Sequence, residues 1–170
     1  MSSVLDGLRG VVHPDILART EHISKMLTAL GVPHALIGGL AVGVHGYPRL
    51  TKDVDFLVGS LAFERTMPFL VYRPELAEVA RVGFSDLMAI PAGFPWLEEE
   101  VALSDAVPVI SLSGLVLMKL LAFRAQDQAD VEALLRDDET RIADVSDYLA
   151  EHAPDLLIRL GQVLSVARSS

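Results

Sequence analysis

The apolar positions of this chain change their spacing several times, and each change marks an element. From Ile16 to Leu30, residues Ile16, Leu17, Ile23, Met26, Leu27 and Leu30 recur at the spacing of one helix face. His13-Pro14-Asp15 reads as the entry to that helix, with proline in its first turn. Gly31 stops it, and Pro33 keeps it stopped. Leu36 and Ile37 read as the end of a short buried strand, Gly38 and Gly39 as a turn, and Leu40 to Val44 as a short helix broken by Gly46 and Pro48. A second strand holds Asp53 and Asp55, with Val54, Phe56 and Val58 on its opposite, buried face.

Beyond Gly59-Ser60 the pattern predicts a short helix over Leu61 to Met67, cut by Pro68. Glu75 to Val82 and Phe84 to Ile90 read as two short strands about Gly83, with Asp86 a polar residue inside the second. Trp96 to Val101 reads as a helical turn, and its glutamates as a solvated face. Val107 to Ser111 reads as an edge strand, because Pro108 lacks an N–H. Leu115 to Phe123 is apolar all round, as in a helix buried all round, yet Lys119 sits in its middle. A buried ammonium needs a partner, which a triphosphate or a carboxylate cluster can supply, unless its stem snorkels to water. Asp127 and Asp130, three residues apart, share one helix face. The spans from Ile142 to Leu149 and from Pro154 to Val166 are amphipathic.

These elements predict an α/β or α+β fold, a small mixed sheet backed by helices with a helical C-terminal part. The expected organisation is a single domain over 1–170, with its core at about 13–135 and C-terminal helices at 140–167. Composition fits a chain with a sizeable core, since 51% of its 170 residues are hydrophobic. With no cysteine there is neither a disulfide nor a thiolate metal site. No signal segment and no apolar run of membrane-spanning length are read, so a cytoplasmic protein without a membrane partner is expected. The net charge of −9 argues against a broad basic groove for nucleic acid. Oligomeric state is left open.

The chemistry concentrates between Leu36 and Val58. Two glycines between strand and helix let backbone approach a ligand closely, and the N–H groups of the new helix favour a phosphate. Asp53 and Asp55 present carboxylates ~6.6 Å apart along a strand. At an effective dielectric near 20, two such charges repel by ~3 kcal/mol. Oxygen ligands held together against that repulsion suit a hard divalent cation, Mg²⁺ or Mn²⁺. Taken singly, Gly-Gly reads as an ordinary turn, an Asp-x-Asp pair as a solvated face, and His45 as structural.

Together, Gly38-Gly39, thirteen intervening residues and Asp53-Val54-Asp55-Phe56 resemble the signature of the nucleotidyltransferase superfamily. The fuller string, with His45-Gly46, Arg49, Thr51 and later Lys119, Arg124, Asp127 and Asp130, resembles its small prokaryotic branch of AbiEii-like toxin nucleotidyltransferases and uncharacterised relatives. Gln126 stands where that branch often has lysine. The resemblance covers about residues 30 to 135. It implies transfer of a nucleoside monophosphate from a nucleoside triphosphate to an unknown acceptor (small molecule, protein or RNA), with release of pyrophosphate and a possible place in a toxin–antitoxin pair. Asp53, Asp55 and Asp86 would hold Mg²⁺ or Mn²⁺, with Asp86 as ligand or base. Gly38, Gly39, Arg49, Thr51 and Lys119 would bind the nucleotide. The alternative is a nucleotide- or protein-binding module of the same fold without turnover.

Overall fold

The computed structural model describes residues 3–66, 69–77, 79 and 85–167. The chain is α+β and divides into two compact units. One takes the N-terminal part to residue 44 and residues 48–110; the other takes 45–47 and 111 onward.

In the first unit a 3-10 turn, Asp6–Leu8, precedes helix α1, Pro14–Ala29. His13 caps α1 by accepting the Asp15 N–H at 3.3 Å. Strand β1, His34–Ile37, leads straight into the short helix α2, Gly38–Val44. Strand β2, Val54–Val58, returns antiparallel to β1, with Ile37 opposite Asp55 and Leu36 opposite Phe56. Strand β5, Ser85–Ala89, lies on the other side of β2 and runs parallel to it.

Alternation within β2 is as the sequence predicts. Val54, Phe56 and Val58 are buried in a core with Ile23, Leu27 and Leu36, and the ring of His34 meets Phe56 edge-on at 5.4 Å. Burying a side chain of the size of Phe56 contributes about 1.5–3 kcal/mol. Leu57 is also buried, opposite Ala35, so the other face of the sheet is closed at that end and opens towards Asp55.

Four expectations are corrected. Leu61 to Thr66, the described part of the span expected to be a helix, is not one: a 3-10 turn over Ser60–Ala62 gives way to β3, Phe63–Thr66, which pairs with β4, Phe69–Tyr72. A ladder of cross-strand pairs, among them Phe63 with Tyr72, outweighs a local helical spacing. Pro74–Leu76 forms a 3-10 turn where a strand was expected over Glu75 to Val82, with Pro74 at its start, where no N–H is needed. Val107 to Ser111 makes an isolated parallel bridge between Val109 and Leu36 rather than a full strand. Asp53 immediately precedes β2 instead of lying in it. Met67, Pro68, Gly83 and Phe84, on which other expectations fell, lie outside the described residues.

In the second unit, α3, Leu112–Ala122, is capped by Ser111, whose Oγ accepts the Gly114 N–H at 3.1 Å. It ends at Phe123, whose φ of 52° is left-handed. There Arg159 donates to the carbonyls of Leu120 and Leu121 at 2.6 and 3.1 Å and stacks its guanidinium over the Phe123 ring. Then come α4, Ala125–Leu135, α5, Glu139–His152, and α6, Leu156–Ala167. Among the described residues no helix is long and apolar enough to cross a membrane.

Candidate functional site

The Gly-Gly turn is built against the residues that the sequence singled out. Gly38 follows β1 directly and takes a φ of +67°, which a side chain rarely adopts. A methyl group built there would overlap Asp55 Oδ2 and lie 3.0 Å from its Cγ. A methyl on Gly39 would meet Thr51 Oγ1 at 3.0 Å and Arg49 Nη2 at 3.2 Å. Both glycines therefore let backbone press on this polar cluster, one on the carboxylate and the other on a hydroxyl and a guanidinium. Strand pairing explains the first contact, because Ile37 is the register partner of Asp55 and the chain turns at the next residue.

Asp86 joins from β5. Its register partner is Asp55, so the two carboxylates leave neighbouring strands, ~4.8 Å apart, on the same side of the sheet. Leu87, the next residue, faces the core with Phe56. Asp55 is half-buried; Asp53 and Asp86 are exposed. Arg49 donates to the carbonyl of Leu50 at 3.3 Å, and Thr51 Oγ1 donates at 3.5 Å to that of Asp53. Among the described residues no group of three or more His, Asp or Glu side chains converges as a ready-made metal cage. Mg²⁺ does not require one: it keeps several waters and binds through one or two carboxylates plus substrate phosphates. Adjacent carboxylates at Asp55 and Asp86 fit that demand.

Tyr72 carries no motif and was not singled out by the sequence. Its phenol donates to the carbonyl of Leu87, which brings β4 against β5 beside Asp86. Burial first, and the negative charge of Asp86 second, push the Tyr72 hydroxyl above its ordinary value of 10.0. Only the pairing of Phe63–Thr66 with Phe69–Tyr72 could have pointed to it, and the first of those segments falls in the span read as a short helix.

Lys119 lies in the second unit and is buried. Its Nζ sits 3.1 Å from Asp127 Oδ1 and 2.7 Å from Asp130 Oδ2. The sequence reading offered it a triphosphate or the carboxylate cluster of the site; the partners this structure gives it are instead Asp127 and Asp130. Arg124 Nε also reaches Asp127 Oδ2 at 2.8 Å, and Gln126 donates to Asp130 Oδ1 at 2.9 Å. Burial raises the affinity of Asp127 for a proton, but the hydrogen bonds and charges of Arg124 and Lys119 outweigh it and hold its carboxyl below 3.8. In the same unit the carbonyl of His45 accepts from Arg141 at 3.0 Å.

No family model matches the chain, and no curated protein does. Among solved structures it resembles an antigenic nucleotidyltransferase-like protein from Paracoccidioides brasiliensis, at 14% identity and a TM-score of 0.43, over 89% of this chain and 94% of that one.

Proposed function

We propose that the chain is a metal-dependent nucleotidyltransferase. In the reaction, an acceptor hydroxyl oxygen bonds to the α-phosphorus of a nucleoside triphosphate, the bond to the β-phosphate bridge breaks, and pyrophosphate leaves. The observation that carries this reading is the contact between the turn and its polar cluster. Gly38 and Gly39 keep free of side chains the approach to Asp55, Thr51 and Arg49, and Asp86 stands in register with Asp55.

In this reading Arg49 and the Thr51 hydroxyl bind phosphate oxygens, and the glycine backbone lets them come close. Asp55 and Asp86 would hold the divalent ion, with Asp53 completing its shell, and the ion would offset the repulsion between these carboxylates and the phosphates. Asp86 is at the exposed end of the cluster, where it can take the proton of the acceptor hydroxyl. The rate enhancement rests on positioning and electrostatics, as phosphoryl-group transfer in general requires. A place in a toxin–antitoxin pair belongs to the same proposal, and the acidic balance of the chain favours a small-molecule or protein acceptor over RNA.

Thermal melts of the wild type, Asp55→Asn and Asp53→Asn, each with and without Mg²⁺ and a nucleoside triphosphate, test this. A ligand at a hundredfold excess over its Kd stabilises by ~2.7 kcal/mol, so the wild-type melting temperature rises. Neither variant should respond, and a response equal to that of the wild type refutes the site. The four triphosphates are then tried with Mg²⁺ and cell extract, following pyrophosphate release. Binding without any release supports the non-catalytic module, a reading favoured by the exposure of Asp53 and Asp86.

A further inference from the structure

Strand β5 is the edge of its sheet. Among the described residues it pairs with β2 alone, so the ladder fixes its backbone from one side. The opposing hold comes from a side chain. Tyr72 ends β4, its hydroxyl donates to the Leu87 carbonyl, and its ring packs on Phe63 across the β3–β4 hairpin with centroids 4.8 Å apart. Leu87 follows Asp86, and Asp86 is the register partner of Asp55. A slip or twist of β5 by one residue would carry Asp86 to the opposite face of the sheet, away from Asp55.

We propose that Tyr72 is the positioning residue for Asp86: by tying β4 to the carbonyl one residue beyond it, Tyr72 fixes the side and direction in which the Asp86 carboxylate leaves the sheet. This rests on the nucleotidyltransferase reading above, in which Asp86 is a metal ligand. The tie is available at neutral pH because a tyrosine phenol is protonated there. Tyr72 itself needs no contact with substrate. Partners that orient a metal ligand commonly matter for affinity by roughly tenfold or more.

The test uses the full chain and Mn²⁺ with ATP as the probe, reading Mn²⁺ affinity by electron paramagnetic resonance. Four proteins are compared: wild type, Tyr72→Phe, Asp86→Asn and the double variant. Tyr72→Phe keeps the ring on Phe63 and removes only the donor, and a thermal melt confirms that it is folded. Expected is a loss of about tenfold in Mn²⁺ affinity for Tyr72→Phe, and a double variant no weaker than Asp86→Asn alone, since Tyr72 acts through Asp86. If Tyr72→Phe binds Mn²⁺ as the wild type does, or if its loss adds in full to that of Asp86→Asn, the positioning role is overturned while the site survives. If the wild type does not bind Mn²⁺ with ATP, or Asp86→Asn binds unchanged, the reading of the site fails and this proposal falls with it.

Discussion

Replacing Lys119 by methionine keeps the volume of the side chain and removes its charge. It leaves Asp127 and Asp130, with 5% and 0% of their side chains exposed, facing each other without the ammonium that lies 3.1 and 2.7 Å away. Breaking a buried pair by deleting one partner costs about 3–5 kcal/mol, because the remaining charge is uncompensated. Arg124 still reaches Asp127 and Gln126 still reaches Asp130, so the lower end, about 3 kcal/mol, is expected. Urea unfolding at pH 7 measures it; with a slope near 2 kcal/mol/M the midpoint drops by about 1.5 M. A pH series supplies the sign. In the wild type the carboxyl of Asp127 is held below 3.8, so its stabilising contribution is complete above that value and fades as pH falls through the lowered one. Without the ammonium, the two carboxylates protonate at higher pH, and protonation relieves their repulsion. The gap between the two proteins should therefore narrow from pH 7 to pH 4, and adding Asp130→Asn to the variant should recover part of the loss. A loss under about 1 kcal/mol at pH 7, or a gap that ignores pH, refutes the buried network as a stabilising unit.

Two further outcomes are expected in the first unit. Gly31 and Gly38 both have left-handed φ, +69° and +67°, but only at Gly38 does a methyl meet a neighbour. Gly31→Ala should cost about 1–2 kcal/mol from the backbone alone. Gly38→Ala should cost more in urea unfolding and abolish the melting shift with Mg²⁺ and nucleotide, and equal costs would show that the close approach to Asp55 is absent. His34 is buried, its Nδ1–H donating to the Val32 carbonyl at 2.9 Å and its Nε2 accepting from the Ser24 hydroxyl at 2.7 Å. Burial pulls its pKa below 6.5, with the bond to Val32 opposing, so its contribution to stability is full above 6.5 and is lost as pH falls through the lowered value. His34→Gln should flatten the fall in urea midpoint between pH 7.5 and pH 5; parallel curves for the two proteins would clear His34 of that role.

What the sequence made legible was governed by neighbours along the chain. Alternation in Val54-Asp55-Phe56 separates a buried face from a carboxylate face with no knowledge of the sheet, and a helix entry at Pro14 needs only its own residues. The partners of Lys119 were harder to read. Asp127 and Asp130 visibly share a helix face, but their meeting with Lys119 depends on the sharp turn at Phe123, a residue type seldom found at positive φ. The β3–β4 hairpin was missed for a related reason. Leu61, Ala62 and Phe63 suggest a helix locally, whereas the strand is fixed by the pairing of Phe63 with Tyr72 and of Arg65 with Leu70. Asp86 was placed from its setting in an apolar strand, but its register with Asp55 required the parallel pairing of β5 with β2.

Strand β1 is hydrogen-bonded along both edges. It pairs with β2 on one side, and on the other His34 exchanges bonds with Ala102 while Leu36 bonds to Pro108 and Ile110. Backbone bracketed in this way is expected to exchange its amide hydrogens more slowly than that of an edge strand, which is held by one ladder. The Asp55–Asp86 pair straddles that gradient. Asp55 is carried by β2, which is itself paired on both sides, and Asp86 by the edge strand β5. One carboxylate is thus a fixed reference point, and the other keeps its place beside it only while the ladder to β2 and the tie from Tyr72 both hold.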